Sequence, residues 1–293
     1  MRRVLVTGAN GLLGRSVCKR LQEQNFLVTA IDHTKSSLHA DYAERIILDL
    51  SSNWTLEQLP KRVDAIICLA QSSKFREFPN SALDVFNVNV ASTARLLDYA
   101  KRVGTKSFIY ASSGGVYGNG SQAFKENAAI VPAGQLGYYL GSKACGEILV
   151  QSYASVFQVT VIRPFFIYGP GQNRSMLIPR LMDSVASAKP ISLQGSDGIR
   201  INPVHVEDAS AAVAAALERK ESATYNIAGP DVLSIREIAE AMGEHIGKTP
   251  TFHSAEGVPN DLIADISAMQ SKLHKPIRHL VNSFDEIYDY KIE

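Results

Sequence analysis

The chain has 293 residues, with 30 Lys and Arg against 29 Asp and Glu, a formal net charge of +1, and 45% apolar residues. That length fits one large or two modest domains at about 150 residues each, with enough apolar material for a sizeable core. Near-neutral charge, with basic residues only in short pairs such as Lys61-Arg62, Lys101-Arg102 and Arg219-Lys220, argues against a dedicated nucleic-acid binder, and no apolar run approaches the roughly 18 residues of a membrane span.

The start, Met1-Arg2-Arg3-Val4-Leu5-Val6, has too short an apolar stretch for a secretory signal, so a cytoplasmic protein is expected. Val4–Thr7 reads as a strand, followed at once by glycines and a helical pattern over Leu12–Leu21. Further strands are expected at Leu27–Ile31, Arg45–Leu48, Ala65–Leu69, Lys106–Tyr110 and Val159–Arg163, with helices at Thr55–Leu59, Asp84–Val103 and Tyr138–Val156. The strands are nearly continuous apolar runs, as in a parallel sheet covered on both faces. Regular alternation with helices predicts an α/β, doubly wound, parallel-sheet Rossmann fold.

After Pro164 the regularity decays. Turn clusters at 169–173 and 194–198 precede a helix at Glu207–Arg219, a strand at Thr224–Ile227 and a helix at Ser234–Ile246. The expected division is a dinucleotide-binding domain over 1–164, with about 201–228 returning to it, and a small C-terminal α/β cap built from 165–200 and 229–293. The cysteines, Cys18, Cys68 and Cys145, lie far apart in segments that look buried. They make no disulfide framework, and neither they nor the seven histidines have metal-ligand spacing, so no metal is expected.

Thr7-Gly8-Ala9-Asn10-Gly11-Leu12-Leu13-Gly14 lies between the first strand and the first helix. Its spacing, Gly-x-x-Gly-x-x-Gly, is one residue wider than the usual dinucleotide fingerprint. Glycines let backbone turn tightly and approach a pyrophosphate, whose charge the helix N-terminus favours. Asp32 ends the second strand, where a carboxylate accepts hydrogen bonds from an adenosine ribose and repels a 2′-phosphate. This favours NAD over NADP, with Lys35 close by as a countervailing cation.

With these motifs in place, the sequence resembles the extended short-chain dehydrogenase/reductase family, in particular its nucleotide-sugar epimerase/dehydratase branch. The glycine segment matches that family's. Asp49-Leu50 looks like its adenine-contacting pair, and Leu69-Ala70 like the strand end along the pyrophosphate. Asn89, within Asn87-Val88-Asn89-Val90-Ala91-Ser92-Thr93, stands at the asparagine of its fourth-helix motif. Residues 110–118 match the catalytic serine segment, and Tyr139-Leu140-Gly141-Ser142-Lys143 is its Tyr-x-x-x-Lys. Arg163-Pro164 through Gly171, and Pro203-Val204-His205-Val206-Glu207-Asp208, extend the match toward residue 230.

The resemblance implies cofactor contacts from Gly8, Asn10, Gly11, Leu12, Leu13, Gly14, Asp32, Asp49, Leu50, Leu69, Ala70, Asn89, Tyr139, Lys143 and Pro164. It implies a catalytic set of Ser113, Tyr139 and Lys143. Ser113 is favoured over Ser112 because it lies three residues before Val116; Tyr139 over Tyr138 because a lysine follows four residues on.

The chemistry is consistent with that set. A Tyr and a Lys at i and i+4 share a helix face. Free tyrosine, near 10, is a poor base at neutral pH, and a neighbouring ammonium favours its phenolate. Bringing it to about 7 takes roughly 4 kcal/mol of phenolate stabilisation.

Departures from the family narrow the chemistry. Gly114 and Gly115 stand where its dehydratases carry Asp-Glu and its decarboxylating members a Glu at the second position, so dehydration and decarboxylation are not expected. Phe166, Ile201 and Pro203 replace polar or aromatic groups near the substrate. The substrate end is therefore assigned to Ser113, Phe166 and Arg200, with Arg174 or Arg180 as further cations. His205 is expected to pack the cap. Tyr117 and Tyr168 either border the pocket or pack the core. The helices at 84–103 and 138–156 carry apolar faces that the family pairs in a homodimer.

The expected function is a NAD-dependent epimerase of a nucleotide sugar acting through a transient keto intermediate. A dehydrogenase or ketoreductase of a sugar or other small carbonyl compound is the alternative, and a non-catalytic NAD-binding sensor a more distant one.

Overall fold

A computed structural model of the chain describes residues 1–33 and 42–288. Lys35 lies outside the described residues. The strands are β1 (Arg3–Thr7), β2 (Leu27–Asp32), β3 (Glu44–Ile47), β4 (Ala65–Cys68), β5 (Ser107–Ala111) and β6 (Gln158–Pro164). With the strand Ala223–Ile227 at one edge they form a seven-stranded sheet in the order Ala223–Ile227, β6, β5, β4, β1, β2, β3. Every pairing from β6 to β3 is parallel. The order reverses between β1 and β4, and in such sheets ligands bind outside the carboxyl ends of the strands at that switch.

Both faces of the sheet are covered. Leu5, Ile66, Phe108 and Val159, one from each of four strands, pack in one cluster with Leu96 and Leu97. The alternate residues Val4, Val6, Ile67 and Ile109 are buried too, which accounts for unbroken apolar strands. Helix α1 (Leu12–Glu23) buries Gly14, Val17, Cys18 and Leu21, the i, i+3, i+4, i+7 stripe of a one-sided helix.

Three helical segments differ from their sequence patterns. The 55–59 segment forms only a single 3-10 turn, Leu56–Gln58, capped reciprocally by Thr55 and Gln58; Pro60 stops its growth. The segment over 84–103 divides into α2 (Ala82–Phe86), a wide π turn (Asn87–Ala91) and α3 (Ser92–Val103), which ends on Gly104 at φ +69°. Helix α4 spans Ala133–Gln151 with a break at Gly137, φ +67° and ψ 174°, a conformation open to glycine; its regular part starts at Tyr138, as expected, but a short turn precedes it and it ends at Gln151 rather than 156.

The chain falls into two compact units. One comprises Met1–Val116, Ile130–Arg163 and Ser210–Tyr225; the other Tyr117–Ala129, Pro164–Ala209 and Asn226–Glu293. Residues 117–129 and 201–209 thus group with the second unit, whereas the sequence placed them with the first. In the second unit, α5 (Leu177–Ala186) supplies Ile178, Leu181, Met182 and Val185 to a core completed by Ile235, Ile238 and Met242. Asp208 lies there. Burial would raise its carboxyl, but hydrogen bonds from His274 and from the amides of Arg278 and Ile277 hold it below its usual value.

Two of the expected buried thiols, Cys18 and Cys68, are buried; Cys145 is exposed on α4. The stripe that α4 turns inward carries Ser142, Lys143, Gly146, Glu147 and Val150, and Cys145 falls off it. Glu147 meets Arg163 of β6 in a two-pronged ion pair, Nε to Oε1 at 2.9 Å and Nη2 to Oε2 at 2.6 Å, with side chains 2% and 5% exposed. Removing one partner strands a buried charge. Arg163→Met should therefore cost about 3–5 kcal/mol in urea unfolding, and Arg163→Met with Glu147→Leu should recover most of it. A single variant costing under about 1 kcal/mol would mean that the pair is well solvated.

Candidate active site

The cofactor end is built on the turn after β1. Gly8 adopts φ +67°, and a Cβ there would sit 2.8 Å from the Ala70 nitrogen; a Cβ on Gly14 would lie 2.0 Å from the Gly8 carbonyl oxygen. Only glycine allows that approach. Gly11 starts α1 without a side-chain cap, and its own N–H donates to Gly8 O at 3.0 Å. Gly11 offers no side-chain acceptor to the amides of the first turn, which leaves them available to an anion.

A cavity of about 450 Å³ opens at this turn, lined by Gly8, Asn10, Gly11, Asp32, Asp49, Leu50, Leu69 and Ala70, among others. Eight residues singled out in the sequence therefore come together. Leu12, Leu13 and Gly14 carry the loop on into α1 and do not line the cavity. Asp32 is 4% exposed. Its Oδ2 meets Arg45 Nε at 3.2 Å, while its Oδ1 is buried and has no hydrogen-bond partner among the described residues. A buried carboxylate oxygen left unpaired is costly, and a ribose diol supplies the missing donors. The cavity fits a dinucleotide on that observation.

The catalytic end lies on β5, the turn after it, and α4. Lys143 is 2% exposed, and its Nζ donates to the Ala111 carbonyl at 2.9 Å. Burial pushes the lysine down to about 8. Tyr139, four residues earlier on the same face, is pushed up to about 12 by burial, against the opposing hydrogen bond with Ser113. Ser113 Oγ also accepts from Gly115 N at 3.2 Å, while the Ser112 hydroxyl is buried and unpartnered among the described residues. A tyrosine near neutrality is thus not reached by the chain alone. The Lys143 ammonium is turned to a carbonyl, and burial outweighs it.

Asn89 is buried at the centre of the π turn. Its Oδ1 accepts from Ser72 N at 3.1 Å, and its Nδ2 donates to Ser142 Oγ at 2.9 Å. The extra backbone residue of a π turn swings such a side chain off the regular helix face. The sequence missed Gln71, whose Oε1 accepts from the Tyr139 hydroxyl at 2.9 Å, along with the cavity residues His33, Ser72, Ser73 and Lys74. No spacing rule flags a lone glutamine in a loop.

In the second unit, Pro164 ends β6. Phe166 holds φ +45°, a left-handed conformation rare for a phenylalanine. Ile201 is fully buried, and Arg200 beside it alternates to the exposed side, where its Nε and Nη2 reach Asp261 Oδ2 at 2.9 and 2.6 Å. Neighbouring strand residues face opposite ways, so Arg200 does not stand in for a cation at 201, and Asp261 already holds its fork. Arg174 is likewise held by Asp183. His205 is buried in the cap with Nε2 3.0 Å from Glu286. Tyr117 stacks between Phe124 and Phe165 and donates to Asn226 at 2.8 Å, and Tyr168 packs edge-on to His205, so both sit in packed cores. No cluster of ligating side chains suited to a metal occurs among the described residues.

Comparison with known proteins gives a consistent result. The profile described as NAD dependent epimerase/dehydratase family matches residues 4–228. An uncharacterized UDP-glucose epimerase of Bacillus subtilis (strain 168) is 25% identical, covering 93% of this chain and 92% of that protein. A UDP-glucuronate 4-epimerase of Thermodesulfobacterium geofontis is 24% identical over 86% and 84% of the two chains. The crystal structure of UDP-glucuronic acid 4-epimerase from Bacillus cereus, in complex with UDP-glucuronic acid and NAD, superimposes with a TM-score of 0.85 at 26% identity over 98% of each chain.

The buried lysine gives a pH test. Its folded value of about 8 lies below its ordinary 10.5. The unfolded chain therefore binds more protons between those values, and the lysine's penalty on folding is full below about pH 8 and fades as pH rises toward 10.5. Lys143→Met should accordingly gain stability relative to wild type at pH 7, and lose up to about 3 kcal/mol of that relative gain by pH 10. Denaturant titrations at both pH values measure it; a pH-independent difference would contradict a depressed lysine.

Proposed function

We propose that this chain, which belongs to the NAD dependent epimerase/dehydratase family, is a nucleotide-sugar epimerase acting through a transient 4-keto sugar. The observation that supports the reading is the hydrogen bond between Ser113 and Tyr139, with Lys143 one helical turn on, beside residues with no side chain for a further acid or base. Gly114 and Gly115 follow Ser113 directly, and a Cβ on Gly115 would lie 2.9 Å from Leu140 Cδ2. Proton transfers at neighbouring sugar carbons, needed for dehydration, find no group at these two positions. Oxidation and reduction at one carbon need only one base.

NAD, when bound, supplies hydride acceptance and return together with a positive nicotinamide ring. The Asp32 carboxylate holds the adenosine ribose, and the amides of the glycine turn hold the pyrophosphate. Tyr139 takes the proton of the sugar hydroxyl as phenolate and returns it, and Ser113 fixes that oxygen by a hydrogen bond. Lys143 holds the nicotinamide ribose and, with the cofactor's charge, lowers Tyr139 from its resting value.

The same reading places the enzyme in the cytoplasm as a homodimer. Free cysteines suit a reducing compartment. An apolar groove of about 770 Å³ runs beside α4, with Phe78, Phe86 and Ile148 exposed around it; a second copy of the chain is the partner that would cover it.

Incubation with UDP-glucose and UDP-glucuronic acid, followed by NMR of the sugar, tests the function. One of them should yield its 4-epimer with no accumulation of NADH and no 4-keto-6-deoxy product. Tyr139→Phe should lower that rate about 100-fold or more while leaving NAD affinity within about twofold. Net NADH formation would make the enzyme a dehydrogenase instead.

A further inference from the structure

Gln71 lies in the loop that leaves β4, and the residues on either side of it are pinned. Ala70 N donates to Thr7 Oγ1 at 3.2 Å, and Ser72 N donates to Asn89 Oδ1 at 3.1 Å. From Asn89 the bonding continues through Nδ2 to Ser142 Oγ at 2.9 Å, and from that hydroxyl to the Tyr139 carbonyl at 2.7 Å. A buried asparagine therefore ties the loop of Gln71 to the helix of Tyr139. On the far side, the Tyr139 ring packs against Phe75 with centroids 4.9 Å apart. Within this frame the phenol hydroxyl donates to Gln71 Oε1 at 2.9 Å. Gln71 also lines the cavity that holds Gly8 and Ala70. Its exposed side chain is thus set by backbone fixed on both sides.

We propose that Gln71 is a positioning residue for the base: its amide oxygen holds the Tyr139 phenol protonated and oriented in the resting enzyme until a substrate hydroxyl takes its place. The inference rests on the reading of Tyr139 as the proton acceptor. An acceptor on a phenol O–H stabilises only the neutral form and so opposes ionisation. An amide also carries a donor nitrogen; if the amide turned that nitrogen to the phenolate, the effect would reverse.

The other titratable or polar groups that act on the phenol are Ser113, on the turn after β5, and Tyr110 of β5. Lys143 follows one helical turn on, with its Nζ on the Ala111 carbonyl. On the loop of Gln71, Lys74 pairs with Asp84 at 3.4 Å, and the Arg76 guanidinium lies 5.0 Å from the Phe75 ring centroid.

The test is titration of the Tyr139 phenol in the full-length protein by NMR of ζ-carbon-labelled tyrosine, with the resonance identified by its loss in Tyr139→Phe. Gln71→Ala should ionise about half a pH unit lower than wild type, about a threefold change in the ionisation constant. Gln71→Glu, of the same shape but a stronger, charged acceptor, should ionise higher than wild type. It keeps the test alive should the alanine variant fold poorly. Equal midpoints in all three proteins, or a higher midpoint in Gln71→Ala, would overturn the proposal. The readout needs no turnover, so an active Tyr139→Phe enzyme would sink the proposed function while the titration order still decides the contact.

Discussion

An ammonium sealed inside the protein is the constraint around which the first unit is organised. Lys143 is 2% exposed, and its ammonium donates to one carbonyl among the described residues, Ala111 O. Holding its value at about 8 rather than 10.5 corresponds to about 3 kcal/mol of strain against the charged form. A stable core would place methionine or leucine there. The chain keeps the charge, and β5, α4 and the Asn89 bridge are arranged so that it sits one helical turn from a phenol. Perturbed titrating groups beside a cavity mark sites where chemistry outweighs stability.

The resting site is consequently poised rather than primed. The phenol near 12 and the lysine near 8 both reflect burial, and the phenol by itself makes no base at neutral pH. The positive ring of a bound cofactor would favour the phenolate, and a phenolate would in turn favour the Lys143 ammonium. The same chain-only geometry leaves Asp32 Oδ1 without a donor. The two ends of the site thus lack complementary things: hydrogen-bond donors at the ribose end and positive charge at the phenol. A dinucleotide with an oxidised nicotinamide carries both.

What the sequence made legible was local and periodic. The glycine turn was readable because strand, glycines and helix follow one another within a dozen residues, and the close approaches at Gly8 and Gly14 show why no other residue serves. The inner strands of the sheet, β1, β4 and β5, were readable because both faces are buried. Features set by backbone insertion or tertiary pairing were not. The π turn at Asn87–Ala91 leaves the apolar pattern of a single long helix intact. Arg200 reads as a spare cation beside Ile201 until strand alternation turns it outward to Asp261, 61 residues on. Gln71 gains meaning only from the Tyr139 hydroxyl it meets, and that contact spans 68 positions of sequence.

The central claim is that one carbon of the sugar loses and regains the same hydrogen within a single binding event, with Tyr139 handling only the hydroxyl proton. The most direct measurement is turnover of a nucleotide sugar carrying deuterium at C4, in ordinary water and with unlabelled NADH added to the solution. Full retention of deuterium at C4 of the epimer, with none in the solvent or in the free NADH pool, is the expected result. Loss of the label to water would mean proton abstraction from carbon, and its appearance in free NADH would mean a dehydrogenase; either would contradict an epimerase that works by hydride return.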